Sequence, residues 1–203
     1  MGARAAGPED FDDAVARVRR QPLPALTAWA LAPAPDLVEA HATFARWLVA
    51  GLLRIGGIWL GDDGTVAGGR RLHLRLSDRL RAPHPNHGEL NVTANRGGFA
   101  YPDVPAACQR RLLDASAAGL RLRSSNRRTF LVQIWDATSD NSGTEPLDEL
   151  VRHAQAIRHT CLAVASDPAN TERLHRAGFT RGRDTPAGPD GRPALTAWEH
   201  PSS

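Results

Sequence analysis

After residue 128 the chain alternates between apolar patterns in an order that few folds accommodate. Phe130–Trp135 is an apolar run of strand length, and Asp136–Thr144 is a Ser/Asn/Gly/Asp loop. Leu147, Leu150, Val151, Ala154 and Ile157 then recur at helical spacing. Ser142 stands three residues before Glu145, the spacing of a capping box, and Pro146 falls in the first turn. Cys161–Ala165 is a second buried strand, and Pro168–Ala177 a short helix that stops at Gly178, where a residue without Cβ can turn left-handed. Phe179–Arg183 and Ala194–Glu199 read as two final strands around a turn-rich segment. This order predicts an α/β sheet with crossovers covering both faces.

The N-terminal half is less sharply patterned. Phe11, Val15 and Val18 share one face of a short helix that Pro22 and Pro24 end. Leu26–Ala32 reads as a first strand. Behind Asp36, the residues Leu37, His41, Phe44, Leu48, Leu52 and Ile55 recur at spacings of three and four, which predicts a long helix. Gly56–Leu60 and Val66–Leu76 form a hairpin around Asp62, Asp63 and Gly64. Glu89–Ala94 reads as one more strand, Val104–Leu120 as a helix, and Arg81–Gly88 and Asn95–Pro105 as loops. The hexapeptide Pro-Ala-Leu-Thr-Ala-Trp occurs at both Pro24 and Pro193, and is read as coincidence rather than as a repeat.

Composition narrows the function classes. With 203 residues, 41% apolar and 23% charged, the chain is expected to form one domain, residues 1–24 being a helical extension. All 25 basic side chains are Arg, as a GC-rich coding bias would produce, and the net charge of +3 leaves an anionic ligand electrostatically welcome. Cys108 and Cys161 lie in apolar runs, with neither a disulfide framework nor zinc-binding spacing. The acidic start at Glu9, Asp10, Asp12 and Asp13 does not read as a secretory signal, and no apolar stretch approaches the ~20 residues of a spanning helix. The expectation is a soluble, cytoplasmic protein with no membrane partner.

The order of elements after Thr129, together with Asp167-Pro168-Ala169-Asn170-Thr171-Glu172-Arg173-Leu174-His175-Arg176-Ala177-Gly178-Phe179, resembles the second half of the Gcn5-related N-acyltransferase fold. The resemblance implies a mixed, mostly antiparallel central sheet with a splayed parallel strand pair, flanked by helices. Residues 129–200 would form the acyl-CoA-binding half. It also implies acyl transfer, acetyl-CoA or another acyl-CoA being co-substrate, to a primary amine of a small molecule or peptide, with no metal. In such a site the splayed strand, here Gln133, Ile134 and Trp135, and the loop Asn141, Ser142, Gly143 and Thr144 hold the donor together with Asn170. Two departures stand out. The loop Ser139–Thr144 has one Gly and an acid, Asp140, where the family grips pyrophosphate, whereas Arg96-Gly97-Gly98 has the expected composition but opens no helix promptly. Leu174 occupies the place of a proton-donating Tyr, and the only Tyr is Tyr101.

Candidate acid/base residues are Glu89 and His175. A desolvated strand Glu could take the amine proton, though a solvent-facing Glu is the plainer reading. His175 neighbours Leu174, but on a helix it points about 100° away. His84, His87 and Glu89 have spacing that could ligate a metal, yet Pro85 between the histidines favours a simple loop. Trp135 reads equally as pocket wall or core. His153 and His159 suit a helix end, and Asp148 with Arg152 an i,i+4 pair. Arg121, Arg123, Arg127 and Arg128 form a basic run, either an exposed linker or a phosphate or RNA contact. Two alternatives to the acyl-CoA enzyme stay open: a non-catalytic binding protein of the same fold, and transfer from an aminoacyl-tRNA or a carrier-protein thioester through the Arg-rich surface. A homodimer is also left open.

Overall fold

The computed structural model describes residues 2–71, 103–122, 128–135, 144–166 and 168–201. Among the described residues seven strands form one sheet: β1 (Ala3–Ala5), β2 (Gly56–Gly61), β3 (Val66–Arg71), β4 (Thr129–Trp135), β5 (Thr160–Ala165), β6 (Thr180–Thr185) and β7 (Leu195–His200). Their order is β1-β2-β3-β4-β5-β7-β6. Every pair is antiparallel except β4 with β5. The helices are α1 (Phe11–Arg20), α2 (Ala25–Leu31), α3 (Leu37–Ile55), α4 (Ala106–Arg121), α5 (Glu145–Ala156) and α6 (Pro168–Arg176). The mixed sheet with one parallel pair is the architecture that the resemblance implied.

Period-two alternation distributes the strand side chains between two cores. Ile58, Leu60 and Val66 bury against Val15, Val18, Phe44, Val49 and Leu52 of α1 and α3. Leu131, Leu162, Leu195 and Ala197 continue that face under Leu26 of α2. The alternate residues Trp59, Ala67, Phe130, Val132, Cys161, Ala163 and Trp198 face Leu147, Leu150 and Val151 of α5 and Leu174 of α6. Each fully buried Leu or Phe contributes about 2 kcal/mol of transfer free energy, so the two cores outweigh any single cap or surface pair.

Two local expectations are corrected. Leu26–Ala32 is not a strand, because Ala25–Leu31 is helical and packs Trp29 and Ala30 against Ala115 of α4. The first strand is instead Ala3–Ala5, which lies at the sheet edge and pairs with Trp59–Gly61. Asp148 does not pair with Arg152: it accepts from the Thr144 hydroxyl at 2.7 Å, and Arg152 turns to Glu149 at 2.6 Å. Thr144, not Ser142, occupies the N-cap of α5. Asp36 starts α3 as expected, accepting the Val38 and Glu39 N–H groups at 2.9 and 3.0 Å. The expected strand at Glu89–Ala94 lies outside the described residues, as does the region around His84, His87 and Arg96–Gly98.

The helices on either side of β5 end in the same way. At α6 the Phe179 N–H reaches the Leu174 carbonyl and the Gly178 N–H the His175 carbonyl, both at 3.0 Å, with Gly178 at φ +81. At α5 the His159 N–H reaches Ala154 and the Arg158 N–H reaches Gln155, at 2.9 and 2.8 Å, but here Arg158 holds the left-handed position with φ 56. Both are Schellman ends, one on glycine and one on a residue that strains. Opposite responses follow. Gly178→Ala is expected to lower stability by about 1 kcal/mol, and exposed Arg158→Gly to raise it by about 0.5 kcal/mol, in urea unfolding. Equal and same-signed shifts would contradict this account of the two ends.

Candidate active site

β4 pairs with β3 along its length, from Phe130↔Arg71 to Trp135↔Val66. Its other edge pairs with β5 only from Thr129↔Thr160 to Val132↔Ala163. β5 in turn stays paired with β7 as far as Ala165↔Thr196. Past Val132 and Ala163 the two strands therefore diverge while each remains held on its outer side. Among the described residues their facing backbone N–H and C=O groups have no strand partner there, and such groups require hydrogen bonds from something else.

A cavity of about 120 Å³ occupies this divergence, well above the ~10–15 Å³ that one water needs. Gln133 and Ile134 of β4 form one side, and Val164, Ala165 and Ser166 the other. From one face of the sheet Leu26 and Thr27 of α2 and Phe44 and Leu48 of α3 close it; from the other, Asn170 and Leu174 of α6. The cavity thus passes through the sheet, open to residues of both cores.

α2 is fixed at both ends. At its start Pro24 supplies no side-chain cap, and the Leu26 N–H donates across the structure to Ser166 Oγ at 3.3 Å. Toward its end Trp29 Nε1 donates to the Asp190 carbonyl at 3.2 Å. Arg111 donates to the Trp29 carbonyl at 2.8 Å and lies 5.0 Å over its ring. The β6–β7 connection and α4 together hold this wall.

Of the residues expected to hold an acyl donor, Gln133, Ile134 and Asn170 meet at the cavity. Trp135 continues β4 beside Val66. Thr144 caps α5, its hydroxyl engaged with Asp148. Asn141, Ser142 and Gly143 lie outside the described residues, as does Glu89. His175 is exposed on α6, and the residue that this helix turns to the cavity beside Asn170 is Leu174, a hydrocarbon. Thr27, Phe44, Leu48 and Ser166 were missed. Thr27 was hidden by reading its segment as a strand. Ser166 had a signal, being the first polar residue past the carboxyl end of a buried strand, where open α/β sheets bind ligands.

The first turn of α5 bears on an anionic ligand. A helix N-terminus attracts phosphate through free N–H groups and the helix dipole. Here Glu145 and Asp148 place carboxylates in that turn, and Pro146 removes one N–H. The diverged strand edges suit a ligand with amide groups, whereas this helix start is a poor partner for an anion. Among the described residues no group of three or more His, Cys, Asp and Glu could hold a metal ion, and no helix is long and apolar enough to cross a membrane.

Comparison with solved structures defines the fold. A crystal structure of an apo agmatine N-acetyltransferase variant matches with a TM-score of 0.65, covering 98% of this chain and 97% of that one at 10% identity. A polyamine N-acetyltransferase of Drosophila melanogaster matches at 0.63, covering 98% of both chains at 10% identity. Arylalkylamine N-acetyltransferase 2 of Aedes aegypti matches at 0.58, covering 99% of this chain and 98% of that one at 11% identity. No protein-family model and no curated protein matches the sequence. The chain has the Gcn5-related N-acyltransferase fold, with its splayed parallel pair formed by β4 and β5.

Neither cysteine is placed to act as a nucleophile. Cys161 is buried under α5, and burial pushes its thiol up to about 12; Cys108 is fully buried, raised by the same cause, and donates toward the Leu31 carbonyl at 3.6 Å. In the folded protein at pH 8, a disulfide reagent is expected to modify neither within minutes, and both immediately in denaturant. Stoichiometric modification of the native protein would overturn this assignment.

Proposed function

We infer that the protein transfers an acyl group from a pantetheine thioester, acyl-CoA in the first instance, to a primary amine. The observation that carries this reading is the through-sheet cavity at the β4–β5 divergence, where strand edges past the end of their mutual ladder meet walls from both faces. The exposed edges of Gln133–Trp135 and Val164–Ala165 can hydrogen-bond an extended amide chain as a strand would. An N–H of the diverged β4 segment can polarise the thioester carbonyl. Leu26, Phe44 and Leu48 exclude water from the wall opposite. A direct attack by the amine needs no covalent enzyme intermediate, which agrees with two buried thiols. Proton removal is assigned to Glu89 and proton return to His175 only as candidates. Residues 1–203 are read as one domain, with 129–200 holding the donor. The solved structures of similar fold include enzymes named for agmatine, polyamines and arylalkylamines, so a small amine is the acceptor class proposed here.

The acidic first turn of α5 favours a second reading of the donor: a thioester on a carrier protein, whose pantetheine arm presents no adenine nucleotide. The two are separated by titrating the protein with acetyl-CoA and with acetyl-pantetheine, and by following thiol release with agmatine, spermidine and an arylalkylamine. On the first reading acetyl-CoA binds, and Glu145→Gln tightens it by roughly two- to five-fold as one repulsion is removed. On the second, acetyl-pantetheine matches acetyl-CoA, and Glu145→Gln changes little. If neither thioester binds and no amine is acylated, the enzyme reading falls.

A further inference from the structure

Among the described residues, four of the side chains lining the cavity are polar: Thr27, Gln133, Ser166 and Asn170. Ser166 joins two walls through its hydrogen bonding. It stands directly after β5, and its Oγ accepts the Leu26 N–H at 3.3 Å, across 140 residues of sequence. A serine hydroxyl has one proton and two lone pairs. With one lone pair turned to α2, the hydroxyl remains able to donate, and it lies half-buried in the cavity wall rather than in bulk water. Beside Asn170, the side chain that α6 turns to the cavity is Leu174, which has no proton to give.

We propose that Ser166 is a binding and positioning residue for the transfer, donating its hydroxyl proton to the thioester donor while its oxygen holds the start of α2 in place. The assignment rests on the acyl-transfer reading of the cavity and deepens it. Two consequences are joined in one side chain. The donor would be oriented at the open end of β5, and the α2 wall, with Leu26 and Thr27, would be set against it. The other end of α2 is held independently through Trp29, Asp190 and Arg111. Loss of Ser166 should therefore loosen the first turn of the helix without unfolding it.

The test compares Ser166→Ala and Ser166→Thr with the wild type. Ser166→Ala is expected to lower kcat on the order of 10- to 100-fold, the loss that one hydrogen bond to a group developing charge produces. The acceptor KM should change far less, and Ser166→Thr should restore most of the rate. In hydrogen exchange, the Leu26 amide should lose protection in Ser166→Ala and keep it in Ser166→Thr, with Ala30 and Leu31 unchanged. A wild type that acylates amines while Ser166→Ala keeps its rate, or leaves Leu26 exchange unaltered, overturns this proposal alone. A wild type that neither binds a thioester nor acylates any amine overturns it together with the function on which it rests.

Discussion

The structure depends on a parallel strand pair that stops early. β4 and β5 share register for four residues and then part, while β3 and β7 keep hold of their outer edges to the last residue. The gap therefore cannot close by the strands drifting together, because closure would break ladders on both outer sides. What remains is a slot edged with backbone donors and acceptors. Left unsatisfied, each such group costs about 1–3 kcal/mol, so the slot stands ready for water or for a ligand with peptide-like polarity. The cavity, the walls that α2 and α6 give it and the proposed chemistry all follow from that unfinished pairing.

Packing on the two faces explains why the slot is bounded as it is. On the α5 face, small residues of the inner strands make room for large ones. A Cβ at Gly69 would collide with the Phe130 ring, and Phe130 and Trp59 in turn pack against His153 at centroid distances of 5.8 and 5.3 Å. Burial, followed by the nearby Arg71 and His159, lowers the pKa of His153, which suits a ring packed on two aromatics. On the opposite face α2 crosses above β4 and β5, its Leu26 joining Leu131 and Val164. α2 and α6 thus meet the slot from opposite sides of the sheet. Among the described residues that line it none is charged, so recognition by these walls works through hydrogen bonds and apolar contact.

Electrostatics divide the donor end of the site. Strand edges without a neighbouring strand are indifferent to the sign of a ligand and reward amide groups. The start of α5 carries Glu145 and Asp148 and lacks an N–H at Pro146. Carboxylates at a helix N-terminus stabilise the helix itself, so this turn is built for the stability of α5 and at the expense of anion binding. That conflict separates the two donors considered for this fold.

The C-terminal half was legible in the sequence because its elements are periodic and punctuated: apolar runs at β4 and β5, a 3.6-residue stripe on α5, and glycine at the left-handed end of α6. Gln133, Ile134 and Asn170, which the family resemblance implied as donor contacts, line the cavity. The long helix α3 and its Asp36 cap could be read for the same reason. The hexapeptide Pro-Ala-Leu-Thr-Ala-Trp shows where such reading stops. At Pro24 it enters α2, with Leu26 and Trp29 turned toward α4; at Pro193 it enters β7, with Leu195 and Ala197 on one face and Trp198 on the other. Identical residues carry identical propensities, so propensity cannot have chosen. The second copy lies between β5 and β6, whose ladders reward extension, while the first has α4 to pack against and no strand beside it. Sequence alone determined the order of elements after Thr129 and the long helix behind Asp36. Tertiary contacts alone decided that residues 25–31 form a helical wall, that Ala3–Ala5 closes the sheet edge, and that Ser166 meets Leu26, because each depends on partners distant in the chain.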